Sequence, residues 1–227
     1  MEPNASPTAA PATTASAAAA PAISAPANAP TGGPAFVLTA TNESTVPGPQ
    51  YFSVFPPPLT VTPQQPQTPL PLVSSPTEID SQPTTTMQWP SLDKLDLIVL
   101  NDTESVEGAA RTPVVPGDTA AITWKDNDFA VTVTHGTGND IKLTFGPNMP
   151  SPSNVGLIVG PGPILVPVVG DSMTLTPSLT PTFTVLFGTA WRNGAEFSDY
   201  NPPAKITFKG TTAAIVVGFD NLITQKG

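Results

Sequence analysis

Thr119-Ala120-Ala121-Ile122-Thr123-Trp124-Lys125-Asp126-Asn127-Asp128-Phe129-Ala130-Val131-Thr132-Val133-Thr134-His135 is the stretch on which the fold class turns. Phe129, Val131 and Val133 recur at two-residue spacing with Thr132 and Thr134 between them, the period of a strand that is wet on one side only. Between Trp124 and Phe129, Lys125-Asp126-Asn127-Asp128 supplies what a tight turn demands, because Asn and Asp tolerate left-handed backbone and bond to their own main chain. The stretch predicts two strands, Thr119–Lys125 and Phe129–His135, joined as a hairpin.

The same grammar extends in both directions. Ile141, Leu143 and Phe145 oppose Lys142 and Thr144 in a strand over Asp140–Phe145, and Ile206 and Phe208 oppose Lys205, Thr207 and Lys209 over Ala204–Lys209. Further strands are predicted at Tyr51–Phe55, Thr84–Trp89, Leu95–Leu100, Val155–Val159, Ile164–Val169, Ser172–Thr176, Thr182–Gly188 and Thr212–Phe219, with another from Phe36. Ile164–Val169 and Ala213–Val217 are apolar on both faces, so they belong in sheet centres or under a covering segment. Short strands at regular spacing, separated by Gly, Pro, Asn and Asp, predict an all-β antiparallel β-sandwich or jelly roll. Two corners echo each other, Val114-Val115-Pro116-Gly117-Asp118-Thr119 and Val168-Val169-Gly170-Asp171-Ser172, and the demand for Gly-Asp at turns accounts for both.

Of the thirty-one prolines, nineteen precede residue 91, which excludes long helices there because proline lacks the amide donor and clashes with the preceding turn. Residues 1–34 are Ala, Pro, Thr and Ser in low-complexity order and are expected to form a disordered or polyproline-like arm. The body is expected to span 35–227, with 56–83 as a Pro-rich crossing segment of unusual length.

The first cation in the chain is Lys94, and the formal net charge is −9. Eight dispersed Lys and Arg residues cannot displace counterions from a phosphate backbone, so no nucleic-acid partner is expected. No run reaches the length of a membrane span. With no cysteine, disulfides, thiolate nucleophiles and Cys-based zinc sites are excluded. The opening Met1-Glu2-Pro3-Asn4-Ala5-Ser6 has no charged region followed by an apolar one. With no signal peptide visible, a cytoplasmic location or a place in an assembled particle is expected.

His135 is the single histidine, which ends the search for a Ser-His-acid triad and for a multi-imidazole metal site. Gly170-Asp171-Ser172 is similar to the nucleophile block of GDSL esterases, but those need a histidine downstream of the serine, and none follows here. Asp126-Asn127-Asp128 and Asn139-Asp140 offer hard oxygens without EF-hand spacing and read as turns. No catalytic residue, metal site or cofactor is therefore expected. The one concentrated polar cluster lies in the 189–201 loop, where Trp191, Arg192, Asn193, Glu196, Asp199 and Tyr200 set aromatic faces beside planar polar groups. Such a set binds sugars by stacking and hydrogen bonding, or else plugs the end of a sandwich, with Arg192 paired to Glu196 or Asp199.

Phe36-Val37-Leu38-Thr39-Ala40-Thr41-Asn42 before Val46-Pro47-Gly48-Pro49, the aromatic strand ending in Phe55-Pro56, the Val-Val-Pro-Gly corner, and Phe183-Thr184-Val185-Leu186-Phe187-Gly188-Thr189 ahead of Pro203-Ala204-Lys205-Ile206-Thr207-Phe208 resemble small uncharacterised β-sandwich proteins of fungi and bacteria. The resemblance implies a fold and no activity.

Two functions follow as expectations. The first is a non-enzymatic structural or self-assembling subunit of the filament, coat or surface-layer type, a homo-oligomer whose partner is itself. Its arm reaches roughly 100 Å in polyproline form and contacts neighbours. The alternative is a carbohydrate- or ligand-binding module whose glycan partner docks at the 189–201 loop.

Overall fold

The computed structural model describes residues 36–44, 50–64, 70–71, 77–78, 84–101, 106, 108–188, 203–220 and 222–227. These are all-β, with eighteen strands and no helix among them, so none of their helices is long and apolar enough to cross a membrane. The arm at 1–34 lies outside the described residues.

The chain runs β1 (Phe36–Asn42), β2 (Tyr51–Phe55), β3 (Leu59–Thr62), β4 (Leu70–Pro71), β5 (Thr77–Glu78), β6 (Thr84–Trp89), β7 (Leu95–Asn101), β8 (Arg111–Val114) and β9 (Thr119–Lys125). It continues through β10 (Asp128–Thr134), β11 (Ile141–Phe145), β12 (Ser153–Val159), β13 (Gly162–Pro167), β14 (Ser172–Pro177), β15 (Thr182–Gly188), β16 (Ala204–Thr207), β17 (Thr212–Val217) and β18 (Ile223–Lys226).

Four sheets result, ordered β18-β17-β1-β6, β10-β9-β11-β14-β3, β4-β13-β12-β7-β8 and β16-β15-β2-β5. Most pairings are antiparallel, but β1 with β17 and β9 with β11 are parallel. Alternation of side chains settles which face a strand buries and leaves the direction of its neighbour open, which is why these two parallel neighbours are not announced by the sequence pattern.

The described parts of 56–83 do not simply cross the body. Leu59–Thr62 pairs with β14, Leu70–Pro71 with β13 and Thr77–Glu78 with β2, each at the border of a different sheet. Proline has no amide N–H to donate to a ladder, so a proline-rich segment is suited to sheet edges, where one side needs no partner, and unsuited to sheet centres.

A single apolar core draws side chains from all four sheets. Its densest part is aromatic: Phe36 and Trp89 of the first sheet meet Phe183 and Phe208 on the fourth-sheet side, with ring centroids 4.9 to 5.7 Å apart and steeply inclined. Edge-to-face contacts of this kind add to the free energy of burying the rings themselves. β7 is buried on both faces, with Leu97 and Val99 in the main core and Ile98 and Leu100 covered on the other side. β17 lies inside its sheet between β18 and β1, as its two apolar faces predict.

Candidate functional site

The quoted hairpin forms as its sequence predicts. Asp126 and Asn127 take φ of 55° and 63°, the two left-handed residues of a tight hairpin turn, and Lys125 pairs with Asp128. That register carries up the hairpin to Thr119 opposite Thr134, and so delivers Asp118 and His135 to the same open end.

There His135 Nδ1 lies 3.0 Å from Asp118 Oδ1, the carboxylate fully buried and the imidazole 81% exposed. The other carboxylate oxygen, Oδ2, accepts the Val115 amide at 2.9 Å. Burial alone pushes the Asp118 carboxyl upward. The amides of Val115 and Gly136, with the hydrogen bond and charge of His135, outweigh that effect and hold it below the ordinary carboxylate value.

Two glycines let the corner close. Gly117 sits at φ +102°, and a Cβ on Gly136 would stand 2.5 Å from the Gly117 carbonyl oxygen, so these loops approach more tightly than any side chain permits. The Gly117 amide donates to the Asp140 carbonyl at 2.8 Å, and Thr176 Oγ1 donates to Asp140 Oδ1 at 2.6 Å. The corner thereby fastens the turn before β9, the loop after β10 and the end of β14.

A carboxylate bonded to a histidine is the orienting half of a hydrolytic triad. Among the described residues, no hydroxyl is hydrogen-bonded to His135, and no three His, Asp or Glu side chains gather as metal ligands. In this setting Asp118 fixes the ring and the ring covers Asp118. The second corner uses the same backbone grammar differently. Lys142 donates its amide to the Asp118 carbonyl and Phe145 to that of Asp171, so the two Gly-Asp turns hold opposite ends of β11, while the Asp171 side chain stays exposed.

Beside this corner runs the outer strand of the second sheet, β10. Ile122 of β9 gives its carbonyl to Gly146 on the β11 side, so Ile122 does not bond toward β10, and the facing residue Val131 directs its N–H and C=O away from the sheet. Phe129, Val131 and Val133 are only partly covered, and Trp124 meets Phe129 at 4.6 Å between centroids.

Trp191, Arg192, Asn193, Glu196, Asp199 and Tyr200 lie outside the described residues. The sequence marks Asp118 only as a turn residue of the Gly-Asp corner, although the hairpin register contains the further signal, since a strand pair that sets residue 125 against 128 sets 118 against 135. Comparison with protein-family models, with curated proteins and with solved structures finds no match for this chain.

Proposed function

We propose that the chain is a non-enzymatic structural subunit that associates with copies of itself. The observation that carries this reading is the contrast between β10 and the other sheet borders. An open strand edge is a template for another chain, and proteins that remain monomeric shorten it, charge it, interrupt it with proline or cover it.

Among the described residues, most borders carry such a device. β4 and β5 have two residues each, β8 contains Arg111 and Pro113, β3 stops before Pro63, and β18 ends in Lys226. β6 is bracketed in sequence by Pro83 and Pro90. The edge of β16 is occupied by the Gln225 side chain. β10 runs for seven residues with neither proline nor charge beyond its first residue.

The native mass of the full chain across a concentration range tests the reading. Species heavier than one chain of 23.3 kDa are expected, in proportions that grow with concentration. Removal of residues 1–34 tests the additional expectation that the arm contacts neighbours: those species then weaken while the fold persists.

A further inference from the structure

Resting on that reading, we infer that the partner of β10 is β10 of a second copy, paired antiparallel about a two-fold axis through Val131. Three observations select this occupant and this register. The outward N–H and C=O groups belong to the odd-numbered residues, and the Phe129 amide is already taken by Asp128 Oδ1 at 2.8 Å. That leaves Val131 to exchange two hydrogen bonds with its own symmetry mate, while each Val133 donates to the Phe129 carbonyl of the other copy.

Centring on Val131 also aligns the whole strand, Asp128 through Thr134, with its copy. The half-covered row of Phe129, Val131 and Val133 then continues into the same row of the second copy, whereas a register shifted by one residue would set these side chains against Ala130, Thr132 and Thr134.

Charge fits the same arrangement. Antiparallel pairing sets Asp128 against Thr134 and keeps the two Asp128 carboxylates at opposite ends. It brings the end that holds His135, 81% exposed, to the turn that holds Asp126, 86% exposed. A parallel pairing would instead stack acid on acid at one end.

The arm at 1–34 is the poorer occupant, since its recurrent prolines cannot donate to a ladder.

Val131→Pro tests the pairing in the full-length chain. Its amide faces outward, so the substitution removes two intermolecular bonds and no bond to β9. Association is expected to weaken by at least about tenfold, with circular dichroism unchanged. Because the chain has no cysteine, Val131→Cys provides a second test that does not depend on tolerating proline. Mild oxidation is expected to yield a dimer linked through position 131, whereas Thr123→Cys, exposed on the neighbouring strand, yields none. Oligomers that survive Val131→Pro at unchanged strength, with no linkage at position 131, overturn the β10 pairing and leave self-association standing. A chain that stays monomeric at every concentration overturns both.

Discussion

The Gln225 side chain reads both backbone groups of Thr207: its Nε2 donates to the Thr207 carbonyl at 2.6 Å, and its Oε1 accepts the Thr207 amide at 3.1 Å. One amide side chain from the border strand of the first sheet thus imitates a neighbouring strand at the border of the fourth. It joins two sheets where no main-chain ladder does, and it closes an edge that would otherwise face solvent.

Gln225→Ala is expected to cost about 1 to 2 kcal/mol, since two hydrogen bonds are lost and Thr207 returns to water. Gln225→Glu is expected to do no better, because a carboxylate cannot donate to the Thr207 carbonyl. Thermal melts of the two variants check this; melts indistinguishable from the parent would show that the clip contributes nothing.

Asp118 makes the corner sensitive to acid. Its carboxyl is held below the ordinary value, so its contribution is present above the unfolded pKa of about 3.9 and is lost as the pH falls through the folded value. In that window the unfolded chain binds more protons than the folded one, and stability therefore drops on acidification. Asp118→Asn is expected to melt lower than the parent at neutral pH and to show a shallower decline below about pH 4. Melting curves taken on both proteins between neutrality and strong acid report the difference in slope.

At neutral pH, Asp118→Ala is expected to cost about 1 to 3 kcal/mol, because the Val115 and Gly136 amides that the carboxylate serves lose their acceptor. His135→Ala removes a largely exposed ring, and its expected cost is about 1 kcal/mol or less. Denaturant titrations of the pair rank the two; a larger loss for the histidine would reverse the roles assigned to them.

Ser53 offers a change in the opposite direction. It is fully buried in β2, and its hydroxyl has no hydrogen-bond partner among the described residues. Ser53→Ala removes an unsatisfied polar atom at almost constant volume, and a gain of about 1 kcal/mol is expected in equilibrium unfolding.

Much of the fold was legible because it depends on local alternation. Tyr51–Phe55, Thr84–Trp89, Thr119–Lys125 and Thr182–Gly188 form over the residues predicted for them. Leu59–Thr62, Arg111–Val114 and Ile223–Lys226 were not predicted: each is four residues long, too short for a period to show, and the first two carry or adjoin proline. The parallel pairing of β9 with β11 leaves no mark in either strand, because it is a choice of neighbour made by the whole chain. The Asp118–His135 contact was written in the hairpin register but required two residues seventeen positions apart to be read together.

Self-association between copies of net charge −9 works against electrostatic repulsion. Raising salt from about 20 to about 500 mM shortens the screening length several-fold, and the association is expected to tighten. Ion pairs as the main attraction would give the reverse trend, read from sedimentation at several salt concentrations.

Native mass by sedimentation equilibrium, on the full-length chain over a wide concentration range, bears most directly on whether this protein works by joining to itself. The mass is expected to climb above 23.3 kDa as concentration rises and to fall back when Val131 is replaced by proline. A mass of one chain throughout, for parent and variant alike, would contradict it.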